Sequence, residues 1–449
     1  MPGKNYDVVI LGAGNASLGV TVPTRKAGLS VAMVEERDLG GTCPNRGCTP
    51  KKVLVAAAHA LHEIDRAKVH GISVGEPRLD WAALIDREKK MISHIPDALA
   101  RSMADRGVEV LRDRAVFVGP DAVKVGNTTI KAKHIVIATG SKPRKLPIAG
   151  AEYLITSDDV LSERTLPREV VFVGGGVIAL EFSHVYARAG AKVTILEVLP
   201  RLLGQLDADA VERIRVESER IGITVRTGVK VKSIAKVNDG LRVVYEDDGA
   251  ERIVEADRVV NGAGRVANVD ALDLDAGKVK HDRGRIAVDD YLRSQSNPTV
   301  YVAGDALSSP QLSPIATYEG RIVGRNIVEG AKHKPDYASI PSCVYTVPAL
   351  ASVGLTEAAA KERGLKVRVE SRDMLGWLSA KTYAESVAWS KILVEQSSDR
   401  IVGVHLVGHG GEELINMFAL AMAHGITAGD LRSMVYAFPT FSADITSML

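Results

Sequence analysis

Two of the chain's three cysteines stand with four residues between them, in Gly41-Thr42-Cys43-Pro44-Asn45-Arg46-Gly47-Cys48. A close thiol pair can cycle between dithiol and disulfide, provided that one member is held as the reactive thiolate. Thr42 with Pro44, and Thr49 with Pro50, carry helix-start chemistry, and the free amides and positive dipole end of a helix start favour an anion. Arg46, Lys51 and Lys52 add positive charge. Two structural cysteines or half of a zinc site are the alternatives. Zinc needs four ligands, and no second Cys/His pair at ligand spacing follows, so no metal is expected and a redox-active pair is the reading.

What positions this pair begins upstream. An apolar run over residues 6–11 ends in Gly12-Ala13-Gly14-Asn15-Ala16-Ser17, a helical pattern follows, and a second strand over 30–34 is closed by Glu35. This is a βαβ dinucleotide fingerprint: Gly12 allows the tight turn, Gly14 lets a pyrophosphate approach the backbone, and the acid suits ribose hydroxyls. Ser17 replaces the usual third glycine. The chain then repeats itself. Residues 170–173 lead into Gly174-Gly175-Gly176-Val177-Ile178, and a strand over 192–196 is closed by Glu197, so that each acid falls twenty-three positions after its first glycine. Two such units imply two dinucleotides with electron transfer between them. Glu197 would accept from a ribose 2′-hydroxyl and repel a 2′-phosphate, favouring NAD over NADP, although Arg201 is near.

The 449 residues, 46% apolar and 25% charged, suit a globular protein of several domains. A net charge of +2 without a basic cluster gives no case for nucleic acid or a membrane surface. No signal peptide or membrane-length apolar run is seen, and so few cysteines suit a reducing compartment; a cytoplasmic protein is expected. Helical periodicity covers residues 53–105. A buried strand enters Ala138-Thr139-Gly140, a Pro-rich crossing over 143–147 reads as a boundary, and a second small-residue strand end closes at Gly264. Residues 300–306 return to strand and turn, with Asp305 placed to hold a polyhydroxyl chain. Past a linker at 332–337, β-rich runs at 343–345, 388–394 and 401–407 precede a helix over 412–424, reading as an antiparallel sheet with helices.

With these residues placed, the chain resembles the two-cysteine flavoprotein disulfide reductases, the family of dihydrolipoamide dehydrogenase, glutathione reductase and mercuric reductase, over nearly its whole length. The signatures are Gly12-Ala13-Gly14, Gly40 through Cys48 with Lys52, Ala138-Thr139-Gly140, Gly174-Gly175-Gly176 with Glu181, Gly264-Arg265, Ala303-Gly304-Asp305 and Ser352 through Glu357. The resemblance implies an α/β fold with two Rossmann-like domains and a C-terminal α+β dimerisation domain. Its divisions would be an FAD-binding part at 1–147, an NAD(P)-binding domain at 148–262, an FAD-binding return at 263–332 and an interface domain at 333–449. It implies FAD and NADH or NADPH as cofactors, a disulfide substrate and a homodimer. Cys48 would face the flavin, Cys43 would meet substrate, and Lys52 with Glu181 would form an ion pair beside flavin and nicotinamide. Cofactor contacts would come from Gly12, Gly14, Asn15, Ala16, Glu35, Gly41 and Thr42, then Ala138, Thr139 and Gly140. Gly174, Gly176, Val177, Ile178 and Glu197 would follow, and then Gly264, Arg265, Gly304, Asp305 and Ala316. Val177 replaces a gating tyrosine.

The closing motif departs from that pattern. Phe438 stands where the family has its acid–base histidine, Ala443 replaces a glutamate, and Asp444 follows. Phenylalanine cannot carry a proton; Tyr436 and His424 are the substitutes to weigh. The end at Leu449, lacking a further cysteine pair, tells against mercuric and large-type thioredoxin reduction. Beside disulfide reduction, two further readings stand: a reductase of a quinone or metal ion, and a redox-sensing flavoprotein. Cys343 reads as a core thiol, and His405 and His409 give no metal spacing. Packing accounts for Trp377, Tyr383 and Trp389 as well as a site would, and Lys381 beside them carries no separate reading.

Overall fold

Strand Lys4–Leu11 carries four consecutive buried apolar residues, Val8 to Leu11. Such a run belongs to a parallel sheet covered on both faces, where alternation has no purpose. The computed structural model, which describes residues 4–307 and 310–449, places it there. It divides into two units.

The first unit comprises Met1–Lys51, Asp86–Arg144 and Arg265–Asp336. Its seven-stranded sheet runs Val108–Leu111, Val31–Val34, Lys4–Leu11, Thr128–Ile137 in parallel. The long last strand pairs its start antiparallel with Ala122–Val125, which pairs with Ala115–Gly119, and its end parallel with Val300–Val302. Leu11 is thus in register with both Val34 and Ile137, and the first glycine turn opens at the carboxyl ends of adjacent strands. Helix Asn15–Lys26 packs on helix Ser313–Glu329 through small residues: a Cβ on Gly320 would strike the Ala16 carbonyl, and one on Gly19 the Thr317 carbonyl.

The second unit comprises Lys52–Ile85, Lys145–Gly264 and Tyr337–Leu449. Its parallel sheet runs Thr224–Thr227, Lys192–Glu197, Glu169–Val173, Arg258–Asn261, Leu154–Ile155. A three-stranded antiparallel sheet, Lys230–Val237, Gly240–Asp247 and Ala250–Ala256, went unread in the sequence. The C-terminal part is a five-stranded antiparallel sheet in the order Ser342–Val344, Ala349–Gly354, Ile401–Gly408, Trp389–Glu395, Val367–Asp373. Helix Gly411–His424 buries Leu414, Ile415 and Phe418 in a core with Val353, Ile392 and Leu406 of that sheet. The helical stretch expected over 53–105 divides into Cys48–Arg66, Trp81–Ile92 and Ile95–Asp105, with an exposed loop over 71–80. Cys343 is half-buried on its sheet's edge strand and packs against the core beneath that sheet, in keeping with a core thiol. No helix among the described residues is long and apolar enough to cross a membrane.

Candidate active site

The cysteine pair sits where two helices begin. Thr42 opens the short helix Thr42–Arg46, with Cys43 second, and Cys48 opens helix Cys48–Arg66, one residue earlier than the Thr49 start read from the sequence. Gly47 makes the junction. A Cβ there would lie 2.9 Å from the Thr42 carbonyl oxygen and 3.1 Å from Cys43 Cα, so the chain folds back on the first cysteine as only glycine allows. Both cysteines stand as thiols.

The Cys43 thiol is lowered to about 6. The largest cause is the hydrogen bond from the Cys48 side chain; Ser313, Asn15 and the Cys48 backbone add to it, against the opposing effect of burial. Ser313 Oγ donates to Cys43 Sγ at 3.1 Å, and the Asn15 side-chain amide donates in turn to Ser313 Oγ. The lowering thus comes from aimed donors rather than from the cations cited in the sequence. Arg46 is bound to Asp38 at 2.7 Å, and Lys51 is buried.

Around the pair, the first glycine turn has the form a dinucleotide needs. Gly12 has φ +105°, and a Cβ would strike the Ala138 carbonyl and lie 3.2 Å from Thr139 Cα. Helix Asn15–Lys26 starts at Gly14 with no side-chain cap and no acid in its first turn, so its leading amides can meet an anion. A Cβ on Gly41 would lie 2.9 Å from Gly14 Cα, which brings the cysteine segment against this turn. Ser17 fits its glycine position by donating to the Gly12 carbonyl at 2.7 Å. Glu35 accepts from the amides of Ala13 at 2.8 Å and Arg37 at 2.7 Å. A Cβ on Gly304 would lie 3.1 Å from that of Ala16 and 3.2 Å from that of Ala316. Asp305, its carboxyl pushed up by burial, accepts from Ser141 Oγ at 2.9 Å, and Arg265 Nε donates to the same oxygen at 2.9 Å. Thr139 Oγ1 is buried with no protein partner among the described residues, and Gly140 has φ +69° with open space around it.

In the second unit the same turn recurs. Gly174 has φ +104°, and a Cβ would lie 2.5 Å from the Ala263 amide nitrogen. Gly176 precedes helix Val177–Arg188, again without a side-chain cap or first-turn acid. Glu197 repeats Glu35 in full, accepting from the Gly175 amide and from the Leu199 amide at 2.7 Å. Arg201 gives its guanidinium to the carbonyls of Gly204 and, at 3.0 Å, Leu206. Val177 is exposed, Ile178 half-buried, and Gly264 has φ +91°.

Lys52 and Glu181 meet through Tyr345, a residue the sequence reading passed over. Lys52 Nζ lies 3.9 Å above the Tyr345 ring, and the Tyr345 amide donates to Glu181 Oε1 at 2.9 Å. Of the proposed histidine substitutes, Tyr436 spends its hydroxyl on the Leu431 carbonyl at 2.9 Å, and His424 has no carboxylate partner among the described residues. Phe438 is 78% exposed. Ser313 was also unread, and no local signal announces it: its place depends on the packing of two helices distant in sequence.

The chain matches the family model described as pyridine nucleotide-disulphide oxidoreductase over residues 6–320 and that family's dimerisation domain over 340–449. It is 33% identical to a dihydrolipoyl dehydrogenase of Chlorobaculum tepidum, covering 98% of this chain and 95% of that protein. A glutathione reductase of Burkholderia cepacia is 31% identical, covering 99% and 98%. The solved Cu(II) complex of RclA, an HOCl-induced flavoprotein disulfide reductase of Escherichia coli, superposes with a TM-score of 0.88 at 25% identity, covering 99% of each chain.

Proposed function

The chain belongs to the pyridine nucleotide-disulphide oxidoreductases, FAD-dependent enzymes that take electrons from NAD(P)H, and on that premise we propose that its Cys43/Cys48 pair reduces a disulfide substrate. The observation that carries this is the Cys43 thiol itself, lowered to about 6 by donors aimed at its sulfur. At neutral pH it is the attacking thiolate.

The residues present fit FAD. An uncapped helix start, glycine positions that a Cβ would close, the unsatisfied buried hydroxyl of Thr139 and the buried Asp305 match a pyrophosphate and a polyhydroxyl chain. Gly12, Gly14, Asn15, Ala16, Glu35 and Asp305 would hold it, and the Gly174 turn with Glu197 would hold the nicotinamide nucleotide. Bound there, FAD carries an electron pair between nicotinamide and the cysteines. Cys43 attacks substrate, and Cys48, hydrogen-bonded to it, resolves the mixed disulfide. Lys52, kept over the Tyr345 ring, supplies positive charge for reduced flavin. The dimerisation domain supports a homodimer, and we assign the protein to the cytoplasm. The division into FAD-binding parts at 1–147 and 263–332, an NAD(P)-binding domain at 148–262 and an interface domain at 333–449 belongs to the same reading.

A second reading has its own observation. Phe438 offers no proton at the closing motif, and a non-disulfide acceptor such as a quinone or a metal ion needs none for a leaving sulfur. The RclA structure, a Cu(II) complex of a similar chain, points the same way. Anaerobic titration with NADH separates the two. Uptake of more electrons than flavin alone holds, with a long-wavelength thiolate-to-flavin band, supports the dithiol route. Flavin bleaching without that band overturns it in favour of direct reduction of an acceptor.

A further inference from the structure

Helices Cys48–Arg66, Val177–Arg188 and Ala208–Arg220 each carry an arginine in their last turn, where a cation offsets the negative end of the helix dipole. All three arginines belong to the second unit, and the charges of Arg66 and Arg220 both work against that of Arg188. Two of them have their counter-ions. Arg66 holds Glu63 and the buried Glu385, each at 2.5 Å, and Arg220 takes both oxygens of the buried Glu217 at 2.7 Å.

Arg188 is left short. Its side chain is 7% exposed, and its carboxylate partner among the described residues is Glu217 at 3.8 Å, whose oxygens Arg220 and Ser386 already hold. Nη2 donates to the Val347 carbonyl at 2.8 Å, while Nε is buried with no partner among the described residues. Burial pulls this guanidinium down to about 10 against the effect of Glu217. His62, buried with both ring nitrogens likewise unpartnered, is lowered to about 3, by burial first and then by Arg188, Arg66, His59 and Arg220, all of which push the same way. A buried charge ordinarily has a partner, because the interior screens it poorly. Here positive charge stands in excess.

Arg188 also lines an open cleft of ≈ 1020 Å³ whose lining lies wholly in the second unit. Leu61, Ile64, Leu79 and Ile221 supply apolar wall, and the exposed loop over 71–77 forms one side. Lys68, Arg220, Asp65 and Glu76 bring charges of both signs to it, but these are exposed and screened by water, so the buried Arg188 decides the sign of the ligand.

We propose that this cleft binds a small amphipathic carboxylate, its aliphatic or aromatic body along the apolar wall and its carboxylate paired with Arg188. A guanidinium presents parallel N–H donors that match the two oxygens of a carboxylate, so one such head group supplies both the missing charge and the missing acceptors. A neutral ligand of the same shape gains the wall alone. None of the lining residues belongs to a glycine turn or to the cysteine segment, so the site stands independently of the disulfide reading.

Calorimetric titration of the full FAD-loaded chain with octanoate, and with octan-1-ol as the same chain without the charge, tests this. Wild-type protein should bind octanoate about tenfold more tightly than octanol, or better. Arg188→Gln should lose about ten- to a hundredfold for octanoate and leave octanol unchanged. Val74→Glu, at an exposed position of the cleft's loop, should weaken octanoate several-fold by repulsion and spare octanol. Thermal unfolding checks that both variants fold; if Arg188→Gln does not, Val74→Glu decides alone. No heat from octanoate at millimolar concentration, octanol bound as tightly as octanoate, or a folded variant that binds octanoate like the wild type overturns the proposal.

Discussion

Ser313 Oγ donates to Cys43 Sγ at 3.1 Å, across 270 positions of sequence. A hydrogen bond to a charged group contributes about 1.5–3 kcal/mol, so Ser313→Ala should raise the Cys43 thiol by on the order of one pH unit from about 6. The pH dependence of Cys43 alkylation in the reduced protein reads this. An unmoved inflection means that the Cys48 contact alone holds the thiolate.

The same lowering bears on stability. Unfolded cysteine titrates at about 8.5. A folded value near 6 is a depressed one, so the contribution is complete above the unfolded value, fades as pH falls between the two, and is gone below the folded value. Reduced protein should therefore melt higher at pH 8.5 than at pH 6 by a margin that Cys43→Ser removes. Equal margins in both proteins would show that other groups cause the slope.

Glu197 accepts two backbone amides, so alanine would loosen the turn as well as delete the charge. Glu197→Gln keeps the side chain's size but accepts from only one of the two amides, so thermal unfolding is measured beside it. It should shrink any NADH over NADPH preference in kcat/KM by about tenfold, or about 1.4 kcal/mol. Arg201 is engaged with the carbonyls of Gly204 and Leu206 and should not compensate. An unchanged ratio sinks the assignment of Glu197 to the ribose.

Tyr345 couples Lys52 to Glu181. A cation over an aromatic face is worth about 0.5–2 kcal/mol. Tyr345→Leu should slow flavin reduction by NADH roughly three- to thirtyfold, and Tyr345→Phe, which keeps the ring, should restore it. If Phe is as slow as Leu, the hydroxyl and not the ring matters.

Gly320→Ala should destabilise the first unit by about 1–3 kcal/mol, because the added methyl must push the Ala16 carbonyl away. Thermal unfolding and flavin retention measure it, and full retention of both would show that the two helices separate without cost.

Much of the frame was legible because its signals are local. The Gly12 and Gly174 turns, each with its acid twenty-three positions on, are written in adjacent residues, since a tight turn needs a glycine at the spot where the backbone takes positive φ. The paired strands were read within two residues of their bounds for the same reason: continuous apolar runs mark buried parallel strands. The sheet over 230–256 escaped because its strands mix exposed charge with apolar positions and lie on no motif.

The sequence by itself determined which chemistry was available: two thiols at a fixed short separation, two phosphate-accepting turns, and a phenylalanine where a proton carrier was expected. Covalent spacing and backbone sterics suffice for the first two, and the third comes from the resemblance to the family's closing motif. Only the tertiary structure decided what tunes that chemistry. Ser313 reaches Cys43, and Tyr345 joins Lys52 to Glu181, because packed helices and sheets bring together groups far apart along the chain. A hydrogen bond depends on separations of a few tenths of an ångström, and those are set by side chains filling a core, not by any residue's neighbours in sequence.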